Sequence, residues 1–194
     1  MRSMRGDVLN NKTKVVVKNI DFIINLIMSK IGIFYGSTTG TTAGVAKQIG
    51  SALGVAETDI YDMAKSRPSD VAPYDVLILG TSTWGDGDMQ ADAHDFADGL
   101  QGESLVGKKV ALFGCGDESM SDTFCDGVAE LLEYVKRTGA TLIGQYNVIG
   151  YDFSDSKSVE ADGEAVGLLI DDVNHADTVQ KRIDAWCAEL KKEI

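Results

Sequence analysis

Small hydroxyl side chains and glycines crowd into one short stretch of the chain, where an apolar run gives way to a helical pattern. The run Ile31–Tyr35 stops at Gly36, and six small residues follow it: Ser37, Thr38, Thr39, Gly40, Thr41 and Thr42. From Val45 onward, apolar residues recur every fourth position, which is typical of a helix face. A buried strand that turns into a helix brings free backbone N–H groups and the positive end of the helix dipole together, and both favour a phosphate.

The composition of this loop narrows the kind of phosphate. The loop contains no lysine, so it is not the GxxxxGK[ST] loop of nucleoside triphosphate sites, and it lacks the GxGxxG spacing of dinucleotide sites. Hydroxyls and amides without a cation would hold a single terminal phosphate by hydrogen bonds alone. The alternative is a polar helix cap with additional threonines and no ligand.

Two more apolar runs end in similar loops. Asp75–Gly80 lacks alternation, which is typical of a central parallel strand, and it is followed by Thr81, Ser82, Thr83, Trp84, Gly85, Asp86, Gly87 and Asp88. Lys109–Gly114 is followed by Cys115, Gly116, Asp117, Glu118, Ser119, Met120, Ser121 and Asp122. Trp84 offers a flat surface on which a planar heterocycle could stack, or it packs in a core. Three such loops at the carboxyl edge of one sheet predict a ligand site there.

The alternation of apolar runs and helical patterns predicts an α/β fold. A short strand is expected within Glu57–Met63, and a helix is expected to begin near Thr123. A strand that begins at Thr141 is interrupted by the polar segment 147–163 and resumes at Ala165–Ile170. The last helix is expected from about Asp177 to Lys192.

Net charge and cysteine content limit the kinds of partner and the cellular compartment that fit this chain. The chain has 194 residues and a net charge of −12, and residues 1–27 alone carry +3, which leaves −15 for the rest. Such acidity disfavours nucleic acid and anionic membranes and favours basic protein partners, although it could also serve only solubility. Cys115, Cys125 and Cys187 show no metal-ligand spacing, and their odd number argues for reduced thiols in a cytoplasmic protein.

Residues 1–28 differ from the remainder, since they are basic and their apolar patch is too short and too polar to span a membrane. They also lack a clean signal-peptide pattern. We expect Met28 to be the natural start, with residues 1–28 a disordered or non-native extension and 29–194 the folded domain. A targeting peptide is the alternative.

In its three loops, GSTTGTT at 36–42, TSTWGDG at 81–87 and GCGDESMSDTFCDGV at 114–128, the chain resembles the flavodoxin family. The interrupted last strand resembles the long-chain branch. The resemblance covers about residues 29–194. It implies a doubly wound, five-stranded parallel sheet of order 2-1-3-4-5. It also implies non-covalently bound FMN and low-potential one-electron transfer by a monomer that serves a reductase and an acceptor, with no catalysis of its own.

The resemblance also implies roles for individual residues. Ser37, Thr38, Thr39, Gly40, Thr41 and Thr42 would bind the phosphate, and Trp84 would stack on one ring face. Thr81, Thr83, Gly85, Gly116 and Asp117 would supply backbone contacts, and the expected cofactor-binding set also includes Ser82, Cys115, Met120 and Asp122. Met120 stands where many flavodoxins have a tyrosine over the outer ring face, and it either covers that face or fills a gap.

Two features of these loops concern the flavin's electrons. Gly85 tolerates φ of either sign, so the Gly85–Asp86 peptide could turn its carbonyl toward the ring at little cost. Carboxylates nearby would disfavour an added negative charge and so lower the potential; they are Asp86, Asp88, Asp117, Glu118 and Asp122.

An FMN-dependent NAD(P)H:quinone reductase on the same fold is the alternative function, although no second dinucleotide fingerprint is present. A phosphorylatable signalling domain is rejected, because Gly36–Ser37 and Thr81–Ser82 stand where it needs carboxylates. His94 and His175 are expected to be surface or capping residues.

Overall fold

The computed structural model describes residues 29–120 and 122–194. The strands are β1 (Ile31–Tyr35), β2 (Ile60–Asp62), β3 (Val76–Trp84), β4 (Asp88–Met89), β5 (Lys109–Cys115), β6 (Thr141–Ile143), β7 (Tyr146–Asn147), β8 (Glu164–Ala165) and β9 (Leu168–Ile170). The α-helices are α1 (Thr41–Leu53), α2 (Ala91–Leu100), α3 (Asp126–Lys136) and α4 (Val179–Leu190), and short 3₁₀ turns cover Glu57–Asp59, Met63–Lys65 and Pro68–Val71.

The main sheet has the predicted parallel order. β2 pairs with β1, β1 with β3, and β3 with β5. The fifth position is shared, because β6 pairs with Lys109–Ala111 of β5 and β9 pairs with Phe113–Cys115. The segment between β6 and β9 forms the antiparallel pair β7–β8. The flavodoxin-like sheet order and the interruption of the last strand are therefore confirmed.

Successive residues of the central strands point to opposite faces, and both faces are covered. Phe34 and Leu79 belong to one buried cluster, which also contains residues of α2 and α3. Their neighbours Ile33 and Ile78 belong to a second cluster with residues of α1 and α4, including the fully buried Trp186. This arrangement explains why the strands read as continuous apolar runs rather than as alternating ones.

Several predicted boundaries need correction. β3 does not stop at Gly80 but continues to Trp84, because Thr83 and Trp84 pair with β4 in an antiparallel hairpin. The helix expected near Thr123 begins at Asp126, since Cys125 adopts a positive φ of 56°. The second strand is confined to β2, behind a 3₁₀ turn, and α4 is shorter than expected at both ends.

The expectations for residues 1–28 lie outside the described residues. No helix in the described part of the chain is long and apolar enough to cross a membrane.

Candidate functional site

The loop between β1 and α1 is shaped to receive an anion. Gly36 N–H donates to the Gly80 carbonyl (2.9 Å), which ties the start of the loop to β3. Gly40 occupies the helix cap position with φ of 100°, and its N–H donates to Ser37 Oγ (3.2 Å). The first turn of α1 carries no acidic side chain, so no charge of its own offsets the positive end of the helix dipole.

Thr42 carries the clearest sign of a missing partner. The residue is 1% exposed, and its Oγ1 is buried without a hydrogen-bond partner. The Cys115 sulfur lies near this hydroxyl, but sulfur is a weak acceptor and the two atoms form no hydrogen bond of normal geometry. Buried hydroxyls are normally paired, so an orphan in the first turn of α1 fits a phosphate that accepts its hydrogen.

Gln90 supports this loop, and the sequence interpretation missed it. The side chain is buried, its Oε1 accepts from Ala93 N–H (2.9 Å) at the start of α2, and its Nε2 donates to Thr38 Oγ1 (3.2 Å). A Cβ on Gly36 would lie 2.4 Å from Gln90 Oε1 and 2.6 Å from the Cβ of Ala93, which cannot move aside, so close packing requires the glycine. Gln90 is the N-cap residue of α2, and no local pattern in the sequence links it to Thr38.

A cleft of about 210 Å³ lies at the ends of β1, β3, β5 and β9. It is lined by Thr39, Thr41, Ser82, Thr83, Trp84, Cys115, Gly116, Asp117, Asp172 and Val173. The structure thus brings all three predicted loops to one place. Asp172 and Val173 were not predicted, because they follow the resumed strand β9, where the sequence shows no glycine-rich loop.

Trp84 stands at the mouth of this cleft and is 43% exposed. Its Nε1–H donates to Ser82 Oγ (2.9 Å), so the Ser82 hydroxyl orients the indole. The exposed indole leaves a flat apolar face available for stacking, and the alternative that Trp84 packs in a core is wrong.

The remaining predicted residues occupy different positions. Thr81 is fully buried and its hydroxyl is engaged with the Ser82 carbonyl and Gln90 N–H, which leaves only its backbone for a ligand. Gly85 lies in the exposed turn after Trp84 with φ of 52°. Met120 (53% exposed) and the exposed Asp122 do not line the cleft in this structure.

Two ionisable side chains of the cleft, Asp117 and Cys115, carry different charges at neutral pH. Hydrogen bonds from the side chain and backbone of Ser119 lower the pKa of Asp117, so this carboxylate is ionised at neutral pH. Burial raises the pKa of Cys115 to about 12, which keeps the thiol neutral and unreactive. The lining therefore suits a flat, polar ligand held by hydrogen bonds and stacking, and it offers no activated thiol.

A hydrogen-bond network around the loop that follows β5 was also missed by the sequence interpretation. Glu118 N–H donates to Asp171 Oδ2 (2.9 Å), and Glu118 Oε1 lies 2.6 Å from His175 Nε2. Asn174 Nδ2 donates to Asp117 Oδ1 (2.8 Å). His175 is therefore part of a polar network and not simply a surface residue. The sequence interpretation missed these contacts because they join residues more than 50 positions apart, which no local pattern can predict.

The ligand atoms of Glu118, Asp171 and His175 lie within 4.8 Å of one another, a spacing that could hold a cation. However, each Asp171 oxygen already accepts two hydrogen bonds, from Val173 and Asn174 backbone N–H at Oδ1 and from Glu118 N–H and Asn174 Nδ2 at Oδ2. With these lone pairs in use, hydrogen bonding accounts for the cluster without a metal.

Comparison with known proteins agrees with this geometry. The flavodoxin family model matches residues 33–186. The chain is 39% identical to a flavodoxin of Haemophilus influenzae over 86% of this chain and 97% of that protein, and 40% identical to a flavodoxin of Synechococcus elongatus over 86% and 99%. The crystal structure of Fusobacterium nucleatum flavodoxin bound to flavin mononucleotide superposes with a TM-score of 0.77 at 29% identity and covers 86% of this chain and 99% of that one. The chain belongs to the flavodoxin family.

Proposed function

We propose that this protein is an electron carrier that binds one FMN without a covalent bond and transfers electrons singly between partner proteins. The observation that carries the proposal is the buried, unpaired Thr42 hydroxyl at the uncompensated N-terminus of α1, next to the cleft that Trp84 flanks. The family membership and the FMN in the Fusobacterium nucleatum flavodoxin structure support it.

The phosphate is assigned to the β1–α1 loop. Thr42 donates its hydroxyl hydrogen, and the first-turn amides of α1 supply further donors. Ser37, Thr38, Thr39, Gly40 and Thr41 complete the loop. Because no lysine or arginine contributes, the phosphate is held by hydrogen bonds and the helix dipole alone.

The ring is assigned to the cleft. The Trp84 indole covers one face, and the backbones of Thr83, Gly85 and Gly116 border the ring. A Cβ on Gly116 would lie 2.8 Å from Cys125 N, so only glycine lets this loop pass close to α3. The neutral Cys115 thiol forms part of the floor, and Val173 forms an apolar part of the rim.

When bound, FMN supplies the one-electron chemistry, and the chain sets how favourable it is. Asp117 and Asp172 line the proposed ring site, and Asp86 follows Gly85 in the turn after Trp84; like charges repel an added negative charge. Each 1.4 kcal/mol of such destabilisation lowers a one-electron potential by about 59 mV. The carboxylates thereby favour a strong reductant rather than an acid–base catalyst.

The partners are proposed to dock with basic surfaces. A larger groove of about 520 Å³ lies along α3 beside the turn that follows Trp84. It lacks the hydroxyl loops of the cofactor site, and six carboxylates line it: Asp86, Asp88, Asp126, Glu130, Glu133 and Glu160. Its two lysines are already paired, Lys136 with Glu133 and Lys157 with Asp126. We place the protein in the cytoplasm, since its three cysteines are buried free thiols, and we propose that it acts as a monomer.

Reconstitution tests the proposal. The apoprotein should bind FMN with 1:1 stoichiometry and turn yellow, and a photochemically or chemically reduced sample should pass electrons to a basic redox protein. Prompt reduction by NADPH alone would instead indicate a flavin enzyme. A protein that binds neither FMN nor riboflavin would refute the proposal.

A further inference from the structure

We infer that Glu118 and His175 form a clamp that positions the 116–120 loop beside the flavin, and that the clamp is fastened to the segment inserted between β6 and β9. The inference rests on the proposed FMN site, and it assigns that inserted segment a role in holding the cofactor.

The Glu118 carboxylate joins three separate parts of the chain. It belongs to the 116–120 loop, its Oε1 lies 2.6 Å from His175 Nε2, and its Oε2 accepts from Asp152 N–H (2.7 Å) in the inserted segment. The side chain is only 14% exposed, and that of His175 only 27%. A charged hydrogen bond of this length in a largely desolvated place is stronger than a surface ion pair.

The backbone of the same loop is held from the end of β9. Asp171 is fully buried and accepts Glu118 N–H, while Asn174 reaches back to Asp117. Both acidic residues that follow Gly116 are thus fixed to residues that immediately follow the last strand. The position of Gly116 and Asp117 at the cleft depends on these two anchors and on the Glu118 side chain.

Tyr151 extends the clamp into the inserted segment. Its ring makes an edge-to-face contact with His175 (5.2 Å between centroids) and another with Phe124 (4.9 Å). Its hydroxyl donates to the Leu169 carbonyl (3.0 Å) and accepts from Asp171 N–H (3.2 Å). His175 therefore lies between the 116–120 loop and a well-packed part of the inserted segment.

The clamp does not depend on the charge of His175. A neutral imidazole with its hydrogen on Nε2 donates to Glu118 just as an imidazolium does. Glu118 and Asp171 approach the His175 imidazole, and Lys181 and Arg182 line a separate cleft together with His175. What the clamp requires is a donor at this position, which glutamine can supply and leucine cannot.

Three variants test the inference. His175→Leu removes the donor and should raise the dissociation constants of FMN and riboflavin by the same factor, about tenfold for the loss of a charged hydrogen bond. His175→Gln should restore affinity to within about threefold of the native value, which is the effect expected of a minor change. His94→Leu is the matched control, because His94 also makes an edge-to-face contact with a tyrosine (Tyr134, 5.6 Å between centroids) but pairs with Tyr134 and Glu130 and not with the 116–120 loop.

A second readout needs no flavin. In the apoprotein, amide hydrogen exchange in residues 116–120 should be faster in His175→Leu than in the native protein and unchanged in His94→Leu. Should His175→Leu fail to fold, Glu118→Gln replaces it, with faster exchange and weaker binding of both ligands expected.

If either His175→Leu or Glu118→Gln left both flavin affinity and amide exchange unchanged, the clamp would be refuted. A loss of affinity for FMN but not for riboflavin would also refute it, because that result would point to the phosphate loop. A native protein that binds no flavin would refute the proposed function, while the exchange data would still decide whether the clamp exists.

Discussion

The Thr42 hydroxyl provides a prediction in which affinity and stability move in opposite directions. Thr42→Val keeps the branched shape of a side chain that is 1% exposed and removes only the orphaned hydroxyl. We expect the apoprotein to become more stable and its affinity for FMN to fall.

The magnitudes follow from the surroundings of the hydroxyl. An unsatisfied buried polar group costs about 1–3 kcal/mol, so its removal should raise the free energy of unfolding of the apoprotein by at least about 1 kcal/mol. A hydrogen bond to a charged group contributes about 1.5–3 kcal/mol, which corresponds to an increase of about 10- to 150-fold in the FMN dissociation constant. Riboflavin lacks the phosphate and should bind almost as before.

Urea unfolding of the apoprotein and fluorescence titration with FMN and riboflavin measure these effects. Thr42→Ser is the matched control, because it keeps the hydroxyl and should retain most of the FMN affinity. If Thr42→Val destabilises the apoprotein, or weakens the binding of FMN and riboflavin equally, the Thr42 hydroxyl does not bind the phosphate and our interpretation of the loop is wrong.

Three further predictions concern the loops and the buried thiols. A Cβ on Gly40 would meet nothing within 4 Å but would be strained at φ of 100°, so Gly40→Ala should lower apoprotein stability in urea by about 1–2 kcal/mol, whereas Gly44→Ala in α1, also in open space, should raise it. Met120 is exposed outside the cleft, so Met120→Ala should change the FMN dissociation constant by no more than about twofold, and a larger loss by titration would show that its side chain covers the flavin. Burial raises the pKa of Cys115 to about 12 and that of Cys187 to about 11, so both thiols stay neutral in the folded protein, while the same thiols ionise above pH 9 in the unfolded chain. The free energy of unfolding should therefore be unaffected by these thiols below pH 9 and should fall between pH 9 and 11, less steeply in Cys187→Ala. Urea unfolding measures this dependence, and a stability that stays constant over this pH range would contradict the account.

More of the fold than of the site's detailed contacts could be predicted from the sequence. Apolar runs such as Asp75–Gly80 are strong local signals, because a strand buried on both faces cannot tolerate polar residues. The glycine- and hydroxyl-rich ends of β1, β3 and β5 predicted where the cleft would lie. The extension of β3 to Trp84 escaped prediction, since it depends on pairing with β4 and not on the residues of β3 themselves.

The supporting contacts were beyond reach for the same reason. Gln90 meets Thr38 across 52 positions, and Glu118 meets His175 across 57. A single sequence shows which residues could form hydrogen bonds but not which distant partners the fold will bring to them. Cys125 is a similar case, because only the tertiary structure places a non-glycine residue at a positive φ before α3.

The central claim is that the β1–α1 loop holds the FMN phosphate while the cleft holds the ring and makes its electrons available singly. A redox titration of the reconstituted protein, run with FMN and with riboflavin, tests it most directly. We predict two separate one-electron steps with either flavin, the second at low potential, and much tighter binding of FMN than of riboflavin. A single two-electron step, or equal affinity for the two flavins, would contradict the claim.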